Sequence, residues 1–425
     1  MSRFSKSDPS SPPAAGAPPA AGAPDEGKPR LGVLFSVIIV DLIAFGIVVP
    51  ILPFWSARFG ANGTTLGLLL ACHAAMQLLC APFWGRLSDR IGRRPVMLFT
   101  IAGTALALLF LGLADSLAQL FVARLLSGIF GANISVATAY LTDVTDEADR
   151  TRWMGMIGAS FAVGFTLGPP IGGLLARLGH GTPMLFAAGM SALNLVWAFF
   201  ALREPERRAN RDEAGMQNRL DVLRDSAIAR ICLVYFLFSL AVTQLETTFA
   251  FFMAAQFGYD ELGVGLVMLG MAIVMGGIQG GGMKRLSAKY PERKLVLSGL
   301  ALMTLAFFLV PLPGSVAWLM APLALAAMGR GIAQPPMMSL VSLRADEASR
   351  GIVLGVFQSS ASAARVVGPV IAGLLYDQSM RLPFWAAAGL CACAALLALA
   401  IKSSGPDSGA NASAHSVPGA AADAT

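Results

Sequence analysis

Charge is the scarcest property of this chain. Of its 425 residues only 13% are Asp, Glu, Lys or Arg, where a soluble domain carries about a quarter, and this excludes a soluble enzyme. Histidine is nearly absent, with three in the chain, and no HExxH, GxSxG or CxxC arrangement occurs. Zinc-protease, serine-hydrolase and dithiol chemistry are therefore left without residues. A GxxxxGK[ST] phosphate loop is also missing, so ATP is not a direct energy source for this chain. The five cysteines, Cys72, Cys80, Cys232, Cys391 and Cys393, lie in apolar runs and read as small buried hydrophobes, with no disulfide framework or metal site. Residues 1–30 are rich in Pro, Ala, Gly and Ser without an apolar stretch. They exclude a cleavable signal peptide and predict a disordered cytoplasmic tail, as does 403–425.

What the chain has in quantity is apolar length. Hydrophobic residues make up 56% and the mean hydropathy is +0.66. A bilayer core takes roughly 20 apolar residues per crossing helix. Apolar segments run at 31–54, 65–84, 95–113, 117–141, 153–176 and 183–202, then at 229–254, 261–283, 294–312, 316–342, 351–375 and 383–402. The pattern predicts an all-α membrane protein of twelve transmembrane helices in two six-helix bundles, 31–202 and 229–402, joined by a polar cytoplasmic linker at 203–228. The net charge of +6 could suggest nucleic acid, but basic residues in a membrane protein set orientation. With the N-terminus inside, 25 of the 31 Lys and Arg fall in the tails and inner loops, and only Arg58, Arg177 and Arg381 in the outer ones. Both termini are expected to be cytoplasmic. Trp55, Trp84, Trp153, Trp318 and Trp385 fall near span ends, as an interfacial aromatic belt would place them.

The chain also repeats itself at an offset of 200 residues. Asp146-Glu147-Ala148 returns as Asp346-Glu347-Ala348, Arg150 as Arg350, Gly155 as Gly355, Gly168-Pro169 as Gly368-Pro369, and Gly173-Leu174-Leu175 as Gly373-Leu374-Leu375. Two halves of one design predict a pathway at their interface and alternating access by rocking. Gly164, Gly168 and Gly172 form a ladder in the fifth span, matched by Ala364, Gly368 and Ala372 in the eleventh. Such ladders let backbones approach closely.

Residues 85–94 read GRLSDRIGRR, which resembles the cytoplasmic signature of the major facilitator superfamily, with Gly85, Leu87, Asp89, Arg90, Gly92, Arg93 and Arg94 all in place. The resemblance implies that Asp89 latches against the start of the eleventh span and its positive dipole. The second-half counterpart, Lys284 to Lys289, is degenerate. Arg124-Leu125-Leu126-Ser127-Gly128 is similar to the family's RxxxG element, whose Arg is associated with proton coupling. The stretch from Gly158 through Gly164 to Gly168, Pro169, Gly172 and Gly173 resembles the motif of proton-driven antiporters. VDLIAFGIVVPILP, RLLSGIFGA and GASFAVGFTLGPPIGG look like the tetracycline efflux branch. Those exporters carry an acid in mid third span where Ala107 stands here, which points to a related drug or metabolite exporter in place of a tetracycline exporter.

Two carboxylates lie well inside spans, Asp41 and Glu246, and a mid-bilayer charge costs about 2.5–3.5 kcal/mol even on insertion scales, so each is a functional candidate. Asp41 sits about 15 Å from the cytoplasmic surface and Arg124 about 10 Å from the outer one, a depth difference near 5 Å. The expectation is that they meet, with Asp41 carrying the proton, Arg124 tuning it, and Glu246 acting as a second carrier or a contact for cationic substrates. Gln77, Asn133, Gln244, Gln334, Gln358 and Arg365 are candidate substrate contacts. If Arg330 and Arg365 both face the cavity, substrates with an acidic or phenolate group are favoured. No metal or cofactor is implied, and protons are the coupling ion. The leading expectation is a monomeric, proton-coupled exporter of drug-like or amphipathic small molecules in a bacterial inner membrane, conferring antibiotic resistance. The alternatives are a transporter of a sugar, amino acid or carboxylate on the same fold, and a non-transporting membrane sensor. Substrate-dependent proton movement discriminates a transporter from the sensor.

Overall fold

The computed structural model describes residues 31–131, 133–145, 147–205, 221–345 and 349–401. The expected tails, most of the linker, and Asp146 with residues 346–348 of the repeat lie outside them. Among the described residues the chain is helical throughout: α1 Leu31–Arg58, α2 Gly63–Ile91, α3 Arg93–Gly112, α4 Leu117–Phe130, α5 Asn133–Val144, α6 Glu147–Ala176, α7 Thr182–Ala201, α8 Ser226–Phe257, α9 Glu261–Gly277, α10 Met283–Lys289, α11 Glu292–Leu309, α12 Val316–Ser342, α13 Arg350–Gln378 and α14 Leu382–Leu399. Ten stretches are long and apolar enough to cross a bilayer. Two are compound, α4 with α5 and α9 with α10, the latter pair joined by a π-turn at Ile278–Gly282. With α6 and α11, each carrying charge in its first turns, the crossings number twelve.

Local chemistry sets the ends. Asn62 accepts a hydrogen bond from Thr65 N at 2.8 Å to start α2, and Asp225 and Asp260 accept from Ala227 N (2.7 Å) and Gly263 N (2.8 Å) to start α8 and α9. Each supplies an oxygen to an amide that would otherwise be orphaned. The second span, expected over 65–84, continues as helix beyond Trp84. α2 runs through Asp89 and Arg90 to Ile91 and breaks only at Gly92, whose φ of +112° disfavours a side chain.

Call the end where α1 begins and α14 finishes the near end, and its opposite the far end. At the far end, helices of the two halves touch backbone to backbone. A Cβ on Gly63 of α2 would lie 2.8 Å from Gly373 O of α13, and one on Gly67 would collide with Pro369 O. Across the other seam, a Cβ on Gly173 of α6 would be 2.6 Å from Glu261 O, and one on Gly265 of α9 would be 2.6 Å from Pro169 O. Residues 169 and 173 thus do on one seam what 369 and 373 do on the other, which gives the 200-residue repeat a physical reason. The same helices part toward the near end, where Gly85 of α2, Gly355 of α13 and Gly276 and Gly277 of α9 have nothing within 4 Å of an added Cβ. The two halves are thus in backbone contact at the far end, and these near-end glycines make no such contact.

Leu193, Val196, Trp197 and Phe200 of α7 are all more than half exposed, the outward stripe of a helix that meets hydrocarbon. The tryptophan belt is only partial. Trp318 is 78% exposed and Trp385 38%, but Trp55 and Trp84 are buried, with Trp84 Nε1 donating to Ile129 O at 2.6 Å. Of the cysteines only Cys232 and Cys391 are buried.

Candidate transport site

In the first half, the α4–α5 span breaks at Gly131, and α5 opens with Asn133. That break presents the Asn133 amide to α1, where Nδ2 donates to Asp41 Oδ1 at 3.1 Å. Asp41 is half-buried. Gln77 of α2 donates Nε2 to Gly131 O at 2.6 Å, so it satisfies a carbonyl freed by the break. Arg124 does not meet Asp41. It is 4% exposed, its Nε has no hydrogen-bond partner among the described residues, and its neighbours include Cys72 and His73 of α2. His73 Nδ1 lies 2.9 Å from Ser127 Oγ, which in turn bonds Arg124 O at 3.0 Å. The reason is register: Asp41 sits level with Asn133, and Arg124 is nine residues earlier, about 13 Å along the axis. The expected depth difference of about 5 Å is exceeded by about one and a half turns.

In the second half, Glu246 of α8 pairs with Arg330 of α12 at 2.8 Å, each side chain about one-third exposed (34% and 32%). Glu246 is therefore not a free acid waiting for a cation in this conformer, and Arg330, which matched no family element, is its partner. Gln244 is fully buried, donating Nε2 to Leu240 O (3.3 Å) and Gly368 O (3.1 Å). It locks α8 to α13 and is out of reach of a substrate. Gln358 and Arg365 of α13 are exposed, and among the described residues no carboxylate lies within ion-pair distance of Arg365. Sequence reasoning missed Tyr235. Its ring stacks on Phe357 at 3.9 Å and 8°, and it lies near Gln334, Arg330 and Arg365. Nothing in the run LVYFLF marks that tyrosine apart from its apolar neighbours.

The signature residues form a knot at the near end. Asp89, 53% exposed, pairs with Arg93 Nη2 at 2.6 Å, while Arg93 Nε reaches Asp143 Oδ2 at 2.8 Å. The Arg93 and Arg94 amides donate to the Glu204 carboxylate at 2.6 and 2.9 Å, and Arg94 Nη2 donates to Phe199 O at 2.6 Å. A Cβ on Gly92 would lie 2.8 Å from Glu204 Oε1. Arg90 is exposed, and Gly85 faces open space. The expected latch of Asp89 on α13 is not made among the described residues, because α2 and α13 stand apart at this end.

The glycine ladder divides its work. Gly164 backs on Leu42, Gly168 on Gly46 and Gly172 on Ile47, so α1 lies in a groove of α6 beside Asp41, while Pro169 and Gly173 face α9. Gly158 is in α6, but its surroundings lie outside the described residues.

The arrangement joins two helical halves around charges at mid-depth, sealed at one end and open at the other, with no assembled nucleophile or metal cluster among the described residues. The family model described as Major Facilitator Superfamily matches residues 34–359 and again 231–423. The chain belongs to the Major Facilitator Superfamily. As a member of that superfamily it is a multi-pass membrane transporter and not an enzyme. It is 31% identical over 355 residues to the tetracycline resistance protein, class B, of Escherichia coli, covering 82% of this chain and 88% of that one. It is 27% identical over 374 residues to multidrug resistance protein 1 of Bacillus subtilis (strain 168), covering 88% and 96%. Among solved structures it is similar to the human organic anion transporter MFSD10, with a TM-score of 0.66 and 27% identity over 87% of this chain and 98% of that one.

Proposed function

We propose that this chain exports drug-like, amphipathic small molecules in exchange for protons, its halves 31–202 and 229–402 rocking about the far-end seams. The observation that carries the reading is Asp41: a half-buried carboxylate at mid-bilayer that accepts from a neutral amide, Asn133, and, among the described residues, from no cation. A carboxylate tied to a guanidinium resists protonation, whereas one held only by an amide in a poorly solvated site takes up a proton readily. A substrate that brings a donor or a positive group to Asp41 then competes with that proton. Competition at one group is what makes binding on one side release a proton and return on the other require one.

The excess of Lys and Arg toward the near end supports a cytoplasmic near end; in that orientation the described conformer opens inward and loads substrate from a bacterial inner membrane and cytoplasm. Relatives named for tetracycline and multidrug resistance support the export of drugs. Ala107, buried and five residues from the end of α3, supplies no acid there and keeps the substrate class wider than tetracycline. In the outward conformer Asp89 exchanges Arg93 for the start of α13. Arg124 adds a fixed positive field to the first-half cavity wall, and Glu246 alternates between Arg330 and a proton. The transporter works as a monomer.

Everted membrane vesicles containing the wild type are expected to lose part of an imposed pH gradient when an accepted compound is added. Asp41→Asn preserves shape and removes titration, and is expected to bind the compound without proton movement. Undiminished proton-coupled transport by Asp41→Asn would refute the assignment.

A further inference from the structure

The second-half cavity holds more positive charge than its own carboxylate can neutralise. Glu246 is committed to Arg330, which leaves Arg365. That residue lies fifteen positions from the start of α13 and thirteen from its end, about 20 Å deep from either side, where an unpaired charge against hydrocarbon is costly. The helix itself says which way Arg365 points. Val367 and Leu374, exposed at 45% and 48%, are two and nine residues on, about 180–200° around the helix from Arg365, and form the apolar outer stripe. Gln358 and Ser362 are seven and three residues before it, on its own side, and Gln358 is exposed as Arg365 is. The polar stripe therefore faces the open cavity, opposite the lipid stripe. Tyr235 of α8 stacks on Phe357 of α13 and lies near Gln334, Arg330 and Arg365.

We propose that Arg365, with Gln358 beside it and the Tyr235 hydroxyl and Gln334 behind, is a subsite for an acidic group (carboxylate, phenolate or enolate) of an amphoteric substrate. This rests on the exchange reading, and the sign of coupling then narrows the class further. An anion bound alone would draw a proton to Asp41 and carry it outward with the substrate, running the cycle against the gradient. A substrate exchanged for a proton must also present a cationic or donor group to Asp41. The fitting molecule is an aromatic amphiphile with an acid at one end and an amine at the other, bridging the two halves.

The test is isothermal titration of the purified full-length protein with norfloxacin, which has a carboxylate and an amine, and with its ethyl ester, which keeps only the amine. In the wild type the acid binds more tightly than the ester. Arg365→Gln raises the ratio of acid Kd to ester Kd by about tenfold, as expected for loss of one charge-assisted hydrogen bond, and Arg365→Lys gives an intermediate ratio. Continued ester binding by Arg365→Gln reports that it is folded. An acid that binds no better than its ester in the wild type, or a ratio unmoved in Arg365→Gln, overturns the subsite. Proton-coupled transport in vesicles is read separately. Its presence with an unmoved ratio defeats the subsite alone, and its absence with a shifted ratio defeats the exchange reading while the subsite stands.

Discussion

Asp377 is the clearest single support of the closed far end. It lies in the last turn of α13, in the second half, yet all its recorded hydrogen bonds come from the start of α2 in the first. Oδ1 accepts from Gly63 N at 2.7 Å, and Oδ2 accepts from Thr64 N at 2.9 Å and Thr64 Oγ1 at 2.6 Å. Two of these bonds serve amides that the helix leaves unsatisfied, and the negative charge meets the positive end of the α2 dipole. Hydrogen bonds to a charged group are worth about 1.5–3 kcal/mol when buried, but Asp377 is exposed, and screening reduces each to well under about 1 kcal/mol. Together the three are worth roughly 1–2 kcal/mol, all of it present only in the far-closed conformer. Asp377→Ala should therefore shift the ratio of far-closed to far-open molecules by a factor of roughly 5–30. Spin labels at Arg58 and Arg381, both exposed at the far end and on opposite halves, report this by double electron–electron resonance in a cysteine-free background. The wild type gives a short distance. Asp377→Ala gains a longer component, and Asp377→Asn, which keeps an acceptor oxygen, gains less of it. Identical distance distributions for wild type and Asp377→Ala would refute the assignment of Asp377 as a clamp.

Hydropathy and charge made the twelve crossings legible, because each bilayer passage needs its own apolar run and each loop its own polar break. Rotation around each helix was not legible. Depth was only partly legible: counting residues put Asp41 and Arg124 about 5 Å apart along the membrane normal, where the packing separates them by about 13 Å, and the break at Gly131 and the position of Asn133 beside α1 depend on how α4 and α5 lean against α2, which no pattern in RLLSGIFGA states. The same limit hid the Glu246–Arg330 pair. Both residues were recognised as buried charges, but pairing requires α8 and α12 to face each other at one level. Gln244 and Glu246 illustrate the point most sharply. They are two residues apart on one helix, so about 200° separates them, and one seals a helix interface while the other opens to the cavity. The Gly-Pro repeat was legible as a repeat, and its meaning as two matched seams came only with the packing. Asp377 was not noticed at all, since an acid at a span end reads as ordinary loop charge until the α2 amides are seen against it.

Two further outcomes follow from the same geometry. Gly67→Ala puts a methyl into the Pro369 carbonyl of the opposite half, and overpacking of this kind costs about 1–3 kcal/mol. It should lengthen the Arg58–Arg381 distance as Asp377→Ala does, whereas Gly85→Ala, which meets open space in this conformer, should leave that distance as it is. The Glu246–Arg330 pair makes a subtler prediction, because a partly desolvated pair is worth little net but leaves a stranded charge when cut. Arg330→Gln alone leaves Glu246 without its cation, and Glu246→Gln alone leaves the cavity with one more uncompensated positive charge. Each single variant should lower the melting temperature of the purified protein, and the double variant should recover most of the loss. Since a third of each side chain meets solvent, the losses should fall below about 3 kcal/mol, the low edge for a fully buried pair. If the double variant is as unstable as the sum of the singles, the two residues are not acting on each other, and the 2.8 Å contact does not describe what holds α8 to α12.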